Sequence, residues 1–257
     1  MGHPVHPCEA VPRHLADRRV LSIGMLADMP AVATPTARAF VGSLASLRPA
    51  DSKGDGPFAG IGMGQIFKLA LECKAMSPSE IEQLLESDDH PVRVGAVSIM
   101  DWQARDRKTP VERRRELFDL YIRRHDRIDT WDLVDRSAIH VVGEYLVDKP
   151  RDILHELARS ERPMERRTAI LSTYAFIRRN ELEDTYLIAE ALANDPDELV
   201  CKAVGWMLRE AGKRDQPRLE SFLDAHAATM PRVMLRYSIE KLDKADRDRY
   251  LGMKLSR

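Results

Sequence analysis

Aromatic residues, cysteines and long apolar runs are all scarce in this chain of 257 residues. Aromatics make up only 6% of the sequence, while Leu, Ala, Arg, Glu and Asp are plentiful, which favours helices over sheets. Three cysteines are too few for a disulfide framework and share no metal-ligand spacing. No apolar run could span a bilayer, and the polar, proline-rich start lacks the apolar segment of a signal peptide. We therefore expect a cytoplasmic protein with no membrane partner.

The motifs of metal, nucleotide and redox enzymes are also missing. There is no His-Glu-x-x-His or Cys-x-x-Cys run, and Gly60-Ile61-Gly62-Met63-Gly64 is neither preceded by a strand nor followed by Gly-Lys-Ser/Thr. We expect no metal, no nucleotide and no redox cofactor. The net charge of −1 argues neither for nor against nucleic acid, because the distribution of charge decides such binding.

The chain divides into a short extension and one long helical region. Residues 1–30 have weak periodicity and several prolines, which predicts a poorly structured N-terminal extension, and residues 31–257 form the predicted domain. The apolar spacing in residues 37–48 predicts a helix, and Ser77-Pro78-Ser79-Glu80 reads as a capping box that opens another. No segment after it alternates convincingly with period two, so the fold class is all-α.

The predicted helices repeat. A basic residue followed by a small and then a branched apolar residue recurs at intervals of 31 to 42 residues, with a proline upstream in four of five units. The units are Arg93-Val94-Gly95-Ala96-Val97, Arg136-Ser137-Ala138-Ile139, Arg167-Thr168-Ala169-Ile170, Lys202-Ala203-Val204 and Arg236-Tyr237-Ser238-Ile239. A period of this size predicts an α-solenoid, a superhelix of HEAT-like two-helix repeats.

The recurring base of each unit has two interpretations. On one face of every second helix, these basic residues would form a stripe that suits the backbone of a DNA duplex. In the alternative, each basic residue forms an ion pair with an acidic residue of a neighbouring unit and binds no ligand. The predicted DNA-binding residues are Arg93, Arg136, Arg166, Lys202, Arg209 and Arg236.

Four residues carry a more specific chemical signal. Trp131 and Asp135 are four positions apart where a predicted helix starts, so they share one helix face. Arg167 lies near the start of a later predicted helix, and Trp206 lies within another. Indole faces attract a cation, a carboxylate stabilises a developing positive charge, and a guanidinium binds phosphate. Together these groups suit a cationic alkylated base in DNA.

The chain resembles the DNA alkylation repair glycosylases of HEAT-like repeat fold (AlkD-like) over roughly residues 57–252. The resemblance rests on Trp131-Asp132-Leu133-Val134-Asp135, Arg166-Arg167-Thr168-Ala169-Ile170-Leu171 and Gly205-Trp206-Met207-Leu208-Arg209-Glu210, in this order, with support from Phe58-Ala59-Gly60-Ile61 and Ile239-Glu240-Lys241-Leu242. It implies a glycosylase that releases N3- and N7-alkylated purines from duplex DNA in base excision repair. One departure is Met164, where the family often carries an aromatic residue.

The resemblance also implies roles for the four residues. Asp135 matches the catalytic carboxylate, Trp131 and Trp206 the two indoles beside the lesion, and Arg167 an arginine that contacts the DNA. The implied partner is alkylated double-stranded DNA. We further expect a monomer that is associated with the bacterial nucleoid when it is bound to DNA.

Several alternatives remain open at this point. Asp135 could simply pair with Arg136 or Arg167, Asp132 is a rival carboxylate, and Trp102 and His140 are predicted to be structural. Because HEAT arrays mostly serve as scaffolds, the competing class is a non-catalytic protein that binds DNA or protein. A glycosylase requires the four residues to line one solvent-accessible cleft, whereas a scaffold would bury the tryptophans and pair Asp135.

Overall fold

The computed structural model describes residues 34–49, 58 and 60–253, and within them the regular structure is entirely helical. The predicted extension, residues 1–30, lies outside the described residues. The α-helices are α1 (Ala37–Ser46), α2 (Met63–Glu72), α3 (Pro78–Leu85), α4 (His90–Arg105), α5 (Val111–Arg123), α6 (Trp131–Ser137), α7 (Asp152–Leu157), α8 (Pro163–Ser172), α9 (Tyr174–Ile177), α10 (Glu183–Ala191), α11 (Glu198–Gly212), α12 (Gln216–His226), α13 (Arg232–Ser238) and α14 (Lys244–Gly252). No strand occurs among these described residues, and none of their helices is long and apolar enough to cross a membrane.

The helices form the predicted solenoid of HEAT-like repeats. Five helices carry the recurring basic residue, and they pack side by side in the order α4, α6, α8, α11 and α13. We call them the second helices. Each follows a first helix of its own repeat, and these first helices are α3, α5, α7, α10 and α12. The all-α prediction and the repeat prediction are therefore confirmed.

Small residues allow the second helices to approach one another, as the repeat predicts. The repeated alanines Ala96, Ala138, Ala169 and Ala203 are completely buried. Glycine allows the closest contact: a Cβ on Gly205 of α11 would lie 2.5 Å from the Met234 carbonyl oxygen of α13. Any side chain there would therefore push α11 and α13 apart.

Local signals set two of the helix boundaries. The Ser77 hydroxyl accepts a hydrogen bond from the Glu80 amide at 3.3 Å, as a cap should, but the Glu80 carboxylate accepts from the Ala37 amide at 2.6 Å. The acid of the predicted capping box thus ties α1 to α3 instead of closing the box. Further along, α6 continues directly into one π-helical turn, Ala138–Gly143, in which the Glu144 amide donates to the Ile139 carbonyl at 2.9 Å.

Candidate functional site: an aromatic cleft across four helices

The four residues singled out in the sequence line one cleft of about 310 Å³. The cleft crosses four consecutive second helices. Trp131 and Asp135 come from α6, Arg167 from α8, Trp206 from α11 and Tyr237 from α13. Its remaining walls come from Leu199 and Lys202. Residues from four successive repeats therefore meet at one surface.

Helical spacing explains why the tryptophans face the cleft. In α6, Leu133 and Val134 are fully buried, which turns Trp131 and Asp135 away from the core. Trp131 is 51% exposed, an unusual position for an indole. In α11 the apolar face is buried, while Trp206 is half-buried at the opening of the cleft. Both indoles are thus accessible, as expected for a ligand site.

Asp135 is held by Arg167 in a two-pronged ion pair. The Arg167 Nε donates to Asp135 Oδ1 at 2.8 Å, and its Nη2 donates to Oδ2 at 2.9 Å. The remaining guanidinium nitrogen, Nη1, donates to the Leu199 carbonyl oxygen. Bidentate pairing of this kind fixes the plane and position of a carboxylate. The Asp135 side chain still keeps 25% of its surface exposed, toward the cleft.

This pairing changes the interpretation of Arg167. The residue is only 5% exposed, and all three of its guanidinium nitrogens donate to groups of the protein. In the structure Arg167 holds Asp135, and its contact with the DNA stays a prediction. The alternative that Asp135 pairs with Arg167 is met, although the pair stands at the wall of an accessible cleft.

The rival carboxylate, Asp132, is occupied elsewhere. Its Oδ2 lies 2.8 Å from His90 Nε2, and its Oδ1 accepts from the Thr130 hydroxyl at 2.7 Å. It does not line the cleft. Of the two acids in the motif, only Asp135 faces the site.

Most of the predicted DNA-binding residues form ion pairs inside the protein, as in the alternative interpretation of the recurring basic residues. Arg93 bonds Asp129 at 2.8 Å, Arg136 lies 3.1 Å from the fully buried Asp101, and Lys202 bonds Glu198 at 2.7 Å. Two further members of the predicted DNA-binding set are paired as well, Arg166 with Asp195 and Arg209 with Glu240. Only Arg236 of this set is exposed without an ion pair to a described residue. Contact of these residues with DNA stays a prediction.

Two residues predicted to be structural have internal partners. His140 Nδ1 lies 2.7 Å from Asp101 Oδ1, and the Trp102 indole nitrogen donates to the Phe67 carbonyl oxygen at 3.3 Å. No cluster of ligand-type residues that could hold a metal occurs among the residues described. The buried His125, whose Nε2 lies 2.8 Å from the Thr168 hydroxyl, has its pKa lowered by burial.

Sequence reasoning missed one wall of the cleft, Tyr237. The residue belongs to the last repeat unit, follows Arg236 and is 38% exposed. Its position depends on Gly205, since a Cβ at Gly205 would also lie 2.6 Å from Tyr237 Cβ. The available signal was the glycine next to Trp206, which marks a close helix contact. It gives no indication of which helix makes that contact.

The fold and the cleft together define a helical-repeat protein in which a carboxylate and two indole rings line one cleft. The family model described as DNA alkylation repair enzyme matches residues 28–242. The chain belongs to this family, which gives it a role in DNA alkylation repair with DNA as its partner. No curated protein matches the chain.

Proposed function

We propose that the protein is a DNA glycosylase that excises cationic N3- and N7-alkylated purines from duplex DNA. The observation that carries the proposal is the meeting of Trp131, Asp135, Arg167 and Trp206 at one accessible cleft. The family supplies the context of alkylation damage, and the cleft supplies groups that suit a positively charged lesion.

The indoles favour the charged base. An N3- or N7-alkylated purine carries a formal positive charge, and the faces of Trp131 and Trp206 attract cations by about 0.5–2 kcal/mol each. Trp131 lies at the start of α6, the helix that also carries the carboxylate, and Trp206 lies in α11 on another wall of the same cleft. A lesion between them would meet aromatic surface and one fixed negative charge.

Asp135 supplies the electrostatic stabilisation of the reaction. As the bond between C1′ and the base nitrogen breaks, its electron pair goes to the base and cancels the positive charge there. The sugar becomes an oxocarbenium-like cation, which a nearby carboxylate stabilises. Water then attacks C1′, and the carboxylate orients that water and takes up its proton. No metal or cofactor enters the step.

Arg167 acts as a positioning residue in this proposal. Its two hydrogen bonds to Asp135 hold the carboxylate in one position at the wall of the cleft. Rigid support of this kind matters because stabilisation falls when a charged group must reorganise during the reaction. Arg167 needs no contact with phosphate to fulfil the role.

The test is release of free base from duplex DNA that contains 7-methylguanine. We expect the purified protein to release 7-methylguanine and to leave uracil in place, because the uracil bond is not weakened by charge. Chromatography of the free base measures both. Duplex binding without any release would favour the second class, a non-catalytic scaffold, for which the paired state of Asp135 is the supporting observation.

A further inference from the structure

A second cavity holds five arginines and has no part in the proposed chemistry. This cavity of about 730 Å³ lies where α4 ends, α5 begins and the segment after α9 starts. Its arginine cluster consists of Arg105, Arg107, Arg114, Arg178 and Arg179. His140 and Glu144 complete the charged and polar lining.

Positive charge in the cluster exceeds what the protein neutralises. Glu144 is the one carboxylate that lines the cavity, and it accepts from Arg178 and, at 2.8 Å, from Arg179. Burial works against its ionisation, but the bonds from Arg179 and Arg178 outweigh it and lower the pKa of Glu144. One carboxylate thus faces five guanidinium groups.

The arginines differ in how firmly they are engaged. Arg114 donates to the carbonyl oxygens of Ala104, Asp106 and Thr109, so it is fixed without losing its charge. Arg105 reaches Asp101 only at 3.4 Å, and that carboxylate is shared with Arg136 and His140. Arg107 is exposed and forms no ion pair with any residue the structure describes. Donors therefore remain available for an external anion.

The cavity of the cluster and the cleft both take residues from α6 and the π-helical turn that continues it. Glu144 follows Asp135 by nine residues on one continuous helical rod, α6 and its π-helical turn. At the rise of an α-helix, this separation is roughly 14 Å along the axis. The major groove of B-DNA is about 12 Å wide. Because the two lengths are similar, we expect the backbone phosphates of a duplex with one nucleotide at the cleft to reach the cluster.

We propose that the arginine cluster is a second DNA contact, which binds backbone phosphates of the duplex away from the damaged nucleotide. Guanidinium groups bind phosphate through paired hydrogen bonds, and each phosphate neutralised releases counterions. The placement of the lesion rests on the proposed function, whereas binding of the duplex rests on the cluster itself. The cluster gives affinity, and the cleft gives selection and chemistry.

The test is binding of a labelled, undamaged duplex by fluorescence anisotropy at several salt concentrations. In the double variant Arg105→Gln/Arg107→Gln we expect affinity to fall on the order of tenfold and the salt dependence to lose a slope of about 2. Glu144→Gln should instead tighten binding, because Arg178 and Arg179 lose their internal anion. The opposite signs exclude a general loss of folding as the cause.

A matched control removes the same charge from the first helices. Arg123 lies on α5 and Arg159 directly follows α7, and both are exposed. Arg123→Gln/Arg159→Gln should bind like the parent protein. Equal losses in both double variants, or no loss in the cluster variant, would overturn the proposal. So would stabilisation of the protein by pyrophosphate through these arginines while duplex affinity stays unchanged.

The outcome is separable from that of the proposed function. In single-turnover release of 7-methylguanine, Arg105→Gln/Arg107→Gln should need about tenfold more enzyme to reach half of the maximal rate, in step with its loss of duplex affinity. Arg123→Gln/Arg159→Gln should release the base like the parent protein. Absence of release in the parent protein would refute the glycosylase and leave the binding result standing.

Discussion

The cleft and the arginine cluster use arginine in opposite ways. In the cleft, Arg167 is buried and directs its donors at Asp135 and a backbone carbonyl, so its charge is neutralised internally. In the cluster, five arginines share one lining carboxylate. We therefore expect an arginine of this protein to bind phosphate only where the protein has not already supplied its anion.

The largest expected effect concerns the carboxylate of the cleft. Asp135→Asn keeps the size of the side chain but removes the negative charge, so release of 7-methylguanine should fall on the order of 10–1,000-fold. Duplex binding should change little, because the cluster is intact. Loss of one acceptor for the buried Arg167 should also cost about 1–3 kcal/mol of stability.

Asp132→Asn is the matched control for this loss. Asp132 belongs to the same motif but bonds His90 and Thr130 outside the cleft. Its amide variant should lower the melting temperature without slowing release at a temperature where the protein is folded. Release by Asp135→Asn at the parental rate would remove the proposed difference between the two regions.

The second prediction perturbs the cleft alone. Gly205→Ala places a Cβ 2.5 Å from the Met234 carbonyl oxygen and 2.6 Å from Tyr237 Cβ. Separation of α11 from α13 should cost about 1–3 kcal/mol, measured by denaturant unfolding. Release should slow because Trp206 and Tyr237 shift, while the distant cluster still binds the duplex.

Gly42→Ala should change the stability in the opposite direction to Gly205→Ala. Gly42 lies inside α1, and a Cβ there meets no atom within 4 Å. The substitution should therefore stabilise the protein by about 0.5–1 kcal/mol. Equal effects of the two alanines would show that α11 and α13 have no tight contact at Gly205.

The fold and four of the residues that line the cleft were predictable from sequence, because both depend on local spacing and on its repetition. The four-residue separation of Trp131 and Asp135 places them on one helix face, and repetition aligns successive faces. The partners of charged residues were not predictable, because a guanidinium such as Arg166 finds its carboxylate 29 residues away across a repeat boundary. The arginine cluster was not predicted for the same reason, because its members lie at the ends of segments that are distant in sequence.

The third prediction separates recognition of a charged base from recognition of phosphate. Trp131→Ala removes an exposed indole face, so the preference for a 7-methylguanine duplex over the same guanine duplex should fall about 2–30-fold. The comparison is made by binding in the Asp135→Asn background, where release is slow. Trp102→Phe, outside the cleft, should leave this preference unchanged. The salt dependence should not change in either variant.

The smallest expected effect concerns Arg236, which belongs neither to the cleft nor to the arginine cluster. It is an exposed base of the predicted stripe, adjacent in sequence to Tyr237 of the cleft, and has no ion pair to a described residue. If it contacts a phosphate, Arg236→Gln should weaken duplex binding a few-fold and lower the salt slope by about 1. Arg166→Gln is the informative partner variant, because Arg166 already bonds Asp195 at 2.6 Å and 3.0 Å. It should lower the melting temperature and leave the slope unchanged. A change of slope in Arg166→Gln would mean that an internally paired arginine exchanges its carboxylate for DNA, and the distinction between the neutralised and the open arginines would no longer hold.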